Sequence, residues 1–120
     1  LTPVNYHLYT ADPQFRADFD ALYALVQERD VALRTIKATA RRPWSGERRL
    51  ATWYEPFTAS EDIRAAISWV LGTFPYIAGL PTAGETTLLG EAIAAEADRM
   101  DVAEASAHLA RISDYETIFN

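Results

Sequence analysis

The chain has 120 residues, 49% of them hydrophobic, and a formal net charge of −6, which suits one small domain with a sizeable core. It contains no cysteine, so a disulfide scaffold and a thiolate metal site are excluded, and a reducing cytoplasm is the expected location. The acidic balance argues against general nucleic-acid or anionic-membrane binding, and no apolar run approaches membrane-spanning length.

In chain order, LTPVNYHLYT lacks an initiator Met and enters an apolar run at once, which reads as a piece of a longer chain. Within it, the aromatic and apolar stretch from Val4 to Tyr9 is expected to form a strand. Asp12 followed by Pro13 offers an N-cap and a first-turn proline, and Phe15, Phe19, Leu22 and Val26 continue at helical spacing, predicting a helix over 13–29. Residues 31–38, VALRTIKA, alternate as a second strand. A long irregular stretch follows over 39–57, rich in proline and aromatics, and loops of that length inside small domains are commonly functional.

Thr58 and Glu61 have capping-box spacing for a second helix, with Ile63, Ile67 and Val70 as its buried stripe and Gly72 as its stop. Residues 76–80, YIAGL, predict a third strand. A third helix then places Leu89, Ile93, Ala97 and Met100 on one face, and Asp101 and Glu104 start a fourth over 102–112. Strand–helix alternation of this kind implies an α/β fold with parallel strands joined by helical crossovers. Three such strands make a poor independent sheet, so the pattern reads as part of a doubly wound sheet or a closed barrel.

Two features carry candidate chemistry. The corner Thr82-Ala83-Gly84 before the third helix is either a plain strand-to-helix turn or a seat for an anionic group on exposed N–H donors. Arg41 and Arg42 follow the second strand, at the same end of the expected sheet. They are either phosphate-binding forks, with Trp44, Trp53 and Tyr54 available to stack on a planar ring, or part of a solvated loop. Lys37 near the strand end contacts a ligand or snorkels to solvent. Asn5 bonds a ligand amide or a backbone group. His7 and His108 lack metal-ligand spacing, and no Ser-His-Asp set or carboxylate pair is evident.

The segments DVALRTIKATARRPW, ATWYEPF, GLPTAGETTLLGEAI and DYETIF together resemble the C-terminal part of bacterial aldo/keto reductases, over Val4 to Phe119. The resemblance implies the last three strands and helices of a TIM-type (β/α)8 barrel that binds NADP(H), with NAD(H) as the alternative nucleotide. On that mapping Asn5 approaches the nicotinamide, Ile36 packs against its ring, and Lys37 to Thr39 lie under the diphosphate. Thr82, Ala83 and Gly84 receive the adenosine 2′-phosphate and ribose, and Glu91 lies near the adenine amino group. Leu88 and Ala92 depart from the family's usual residues, leaving Arg41 and Arg42 to compensate.

The family's hydride- and proton-transfer residues belong to the first half of the barrel, so no catalytic residue is expected here. The implied partners are the cofactor, a small carbonyl substrate, and either the remaining barrel half or a second copy. The alternative is a non-catalytic protein–protein interaction domain using the Trp-rich loop as its interface.

Overall fold

In the computed structural model, which describes residues 1–80 and 84–119, the chain starts with a two-residue strand, β1 (Thr2–Pro3), and turns directly into a helix, α1 (Tyr6–Ala11). The expected strand over 4–9 is thus corrected. The Asn5 side chain accepts a hydrogen bond from the Leu8 amide at 2.8 Å and caps the helix, and Leu8 is buried one turn on. This local cap and the packing of Tyr6 and Tyr9 against Trp69 override the strand preference of the aromatics.

The next helix, α2 (Pro13–Glu28), matches its sequence signature. The Asp12 carboxylate accepts from the Gln14 and Phe15 amides, and Pro13 occupies the first turn, where no intrahelical donor is needed. Phe19 and Val26 are buried while Leu22 and Leu25 remain exposed.

Strand β2 (Leu33–Ile36) is followed by an antiparallel hairpin, β3 (Ala40–Arg42) and β4 (Glu55–Pro56), within the stretch expected to be irregular. The central helix α3 (Ser60–Thr73) is the most deeply packed, with Ile63, Ile67, Trp69 and Val70 in the core. Its N-cap is Ala59, without a side-chain cap bond, so the capping box at Thr58 does not form. Gly72 lies inside the helix and does not end it. Its missing side chain lets Val102 approach closely.

Strand β5 (Ile77–Gly79) leads to α4 (Thr86–Ala97) and α5 (Val102–Leu109), the latter capped by Asp101 as its sequence predicts. In α4 the buried positions are Leu88, Ala92 and Ala95. The expected core face is therefore corrected in part: Met100, beyond the helix end, is buried, but Leu89, Ile93 and Ala97 are exposed. α4 is apolar almost all round, so spacing alone did not distinguish its faces.

The chain is mixed α/β, with β1, β2 and β5 forming a parallel sheet in that spatial order. Register pairs are Thr2 with Thr35 and Pro3 with Ile36 on one side, and Leu33 with Ile77 on the other. All three strands run the same way, so the residues after Pro3, Ile36 and Gly79 emerge at one rim. Among the described helices, none is long and apolar enough to cross a membrane.

Candidate functional site

The rim is organised by a turn after β2. The Ala40 amide bonds the Lys37 carbonyl at 3.1 Å, and Lys37 has φ of 69°. That left-handed conformation is disfavoured for a residue with a side chain by about 1–2 kcal/mol. Asp30, the other described non-glycine residue of positive φ, sits just past the end of α2, where helices commonly make such a turn. Lys37 instead follows a strand. Its carbonyl receives a hydrogen bond from the buried Asn5 side-chain amide at 3.4 Å, and Ala40 receives a second at 3.5 Å. The end of β1 thus holds the turn that leaves β2.

Above this turn lies a cleft of about 480 Å³. One wall comes from Ile36 to Ala40, another from Ala51 to Tyr54, and Leu80 and Gly84 close it on the β5 side. The second wall is ordered by its own bonds: Trp44 Nε1 donates to the Thr52 carbonyl at 3.0 Å, and Thr52 Oγ1 to the Tyr54 carbonyl at 2.7 Å. Trp53 stands at the mouth, 85% exposed. Lys37 is the one charged side chain among the described residues lining the space. Its ammonium donates to the Tyr54 hydroxyl at 3.1 Å and lies 4.4 Å and 4.5 Å from the ring centroids of Tyr54 and Phe119, within cation–π range.

Arg41 and Arg42 turn to carboxylates. Arg42 grips Glu55 with Nε at 2.9 Å and Nη2 at 3.0 Å, a two-point fork. Arg41 Nη2 lies 2.8 Å from Glu55 and 3.1 Å from Asp114, and Arg42 Nη1 also reaches Asp114 at 3.1 Å. The Arg42 fork, with help from Arg41, holds the Glu55 carboxyl below its usual range. These pairs join β3, β4 and the C-terminal tail, which is also tied by the Glu116 amide to the Arg41 carbonyl at 3.0 Å. As placed, both guanidinium groups serve this network, and neither residue lines the cleft.

Of the residues singled out in the sequence, Ile36, Lys37, Ala38, Thr39, Trp53, Tyr54 and Gly84 meet in the cleft, and Trp44 does not line it. Asn5 supports it from beneath. Glu91 lies on α4 away from its lining, and Thr82 and Ala83 lie outside the described residues. Phe119, Glu55 and Asp114 were not singled out. Two adjacent arginines facing a single Glu across a hairpin would have signalled the ion pairs had the hairpin itself been recognised.

Compared with protein-family models, curated proteins and solved structures, the chain matches none.

Proposed function

We propose that this chain forms the cofactor side of an aldo/keto reductase-like (β/α)8 barrel, binding NADP(H) for reduction of a small carbonyl compound. The observation that carries this reading is the cleft at the rim where adjacent parallel strands end, the position at which α/β folds gather ligands. Its volume falls within the range of small-molecule sites. Ile36 offers an apolar wall to a flat ring, Tyr54 belongs to the other wall, and Leu80 and Gly84 close the β5 side. These walls suit the nicotinamide end of the cofactor. A bound nicotinamide would supply a hydride. This chain's residues orient the ring and keep water from it.

The sheet supports the barrel reading in a second way. β1 and β5 are its outer strands, and each has an unpaired edge among the described residues. A groove of about 620 Å³ runs between β5 and α4 beside the exposed Leu89 and Ile93. Open parallel edges next to apolar helix faces call for further βα units or a second copy. The same groove favours the second reading, a protein-interaction domain without catalysis.

Titration with NADPH and with NADH, followed by tryptophan fluorescence, separates the two. A saturable change is expected, because Trp53 and Trp44 belong to the loop that walls the cleft. No change with either nucleotide would leave the interaction reading.

A further inference from the structure

The charge inside the cleft narrows what enters it. We infer that Lys37 and Tyr54 form a recognition point for a single carboxylate carried on an apolar or aromatic body. Under the reductase reading, on which this assignment of substrate class rests, the carbonyl substrate is an oxo- or formyl-carboxylic acid.

Three observations lead there. The first is electrostatic. Lys37 has no carboxylate partner among the described salt bridges, whereas the neighbouring Arg41 and Arg42 are both paired. Its ammonium is half-buried between two aromatic rings that attract a cation without neutralising it. A partly buried cation with no carboxylate beside it favours an anionic ligand.

The second is valence. The cleft offers one ammonium and one phenolic hydroxyl, and no second cation and no carboxylate lines it among the described residues. A diphosphate carries more than one charge and is usually met by several forks or backbone donors. One carboxylate matches a single ammonium, and the phenol can turn its proton to the second oxygen. Apart from the Thr39 and Thr52 hydroxyls and the Trp53 indole, the remaining lining is apolar, with Ile36, Ala38, Pro56, Ile67 and Leu80 among it, and calls for an apolar body.

The third is backbone strain. Lys37 is held in a left-handed conformation by the Ala40 bond and by the Asn5 amide. Unfavourable backbone conformations persist where surrounding bonds over-determine them, and they concentrate at ligand-contacting positions.

The test is calorimetric titration of the chain with 4-carboxybenzaldehyde and with its neutral methyl ester. The acid is expected to bind and the ester to bind roughly ten- to hundredfold more weakly, the loss of one hydrogen bond to a charged group. Lys37→Met should lose the preference, Lys37→Arg should keep part of it, and Tyr54→Phe should weaken the acid alone. Equal affinity for acid and ester overturns the inference, and so does a Lys37→Met protein that still prefers the acid. If Lys37→Met fails to fold, the acid–ester comparison on the unaltered chain decides.

Inorganic pyrophosphate supplies a further arm. Displacement of the acid by pyrophosphate at lower concentration, dependent on Lys37, would assign the charge to the cofactor's diphosphate and overturn the carboxylate reading. Acid binding without NADPH binding would sink the reductase reading and leave this one standing. NADPH binding without a preference for the acid would do the reverse.

Discussion

The Asn5 side-chain amide reaches 32 positions along the chain to the Lys37 carbonyl, while its oxygen caps the helix that begins at Tyr6. One buried side chain thus serves both a helix start and the turn under the cleft. Asn5→Ala is expected to cost about 2 kcal/mol, from a lost N-cap and stranded carbonyls. Asn5→Asp keeps the cap acceptor but removes both donors, so helix content should recover further than ligand binding. Urea denaturation and circular dichroism measure the first, calorimetry the second. An unchanged Asn5→Ala protein would show that the turn holds itself.

The pairing of Arg41 and Arg42 with Glu55 and Asp114 leads to a different expectation from a phosphate-binding role. Arg42→Gln should lower the denaturation midpoint while leaving the NADPH-to-NADH affinity ratio within about twofold, a difference under 0.5 kcal/mol. A large shift in that ratio would mean the forks leave their carboxylates when nucleotide arrives.

The Glu55 carboxyl is held below its ordinary value chiefly by the Arg42 fork. Its contribution to stability is present above the unfolded value, near 4.3, and disappears as pH falls through the lower folded value. Glu55→Gln should therefore be less stable than the parent at neutral pH, and the two curves should converge in acid. Parallel curves from pH 7 to pH 3 would contradict this.

His7 behaves in the same direction from a different cause and in a different window. Burial beside Tyr115 lowers its pKa, with Glu116 opposing in part. The unfolded chain then takes up a proton first as pH drops below about 6.5, so stability declines from there until the folded imidazole also titrates. His7→Gln should flatten the profile between about pH 7 and pH 5, a change read from urea midpoints across that range.

Thr35 lies at the centre of the sheet, fully buried, with no hydrogen-bond partner for its hydroxyl among the described residues. Thr35→Val keeps the shape and the strand preference while removing a desolvated hydroxyl. A gain of about 1 kcal/mol is expected in thermal or urea unfolding. A loss would point to a buried water serving that hydroxyl.

Where local chemistry decides structure, the sequence was a good guide. Asp12-Pro13 starts α2 and Asp101 starts α5 through cap bonds that depend only on near neighbours. Leu33 and Ile77 lie in strands close to where alternation and composition put them. The misreadings came where tertiary context overruled. Tyr6 and Tyr9 look like strand residues until they pack against Trp69 of α3, and the faces of α4 depend on which side α3 occupies. For the site, Ile36 enters only through the family resemblance, whereas Lys37 and Gly84 could be nominated because one lies near the end of a predicted strand and the other just before a predicted helix. Phe119 could not, since nothing local says that the tail folds back over Lys37.

The left-handed backbone at position 37 sets durability against recognition in a single residue. Glycine there would relax the main chain at little steric cost and erase the ammonium with it. Selection for heat resistance alone would thus tend to discard the very group that gives the cleft its sign.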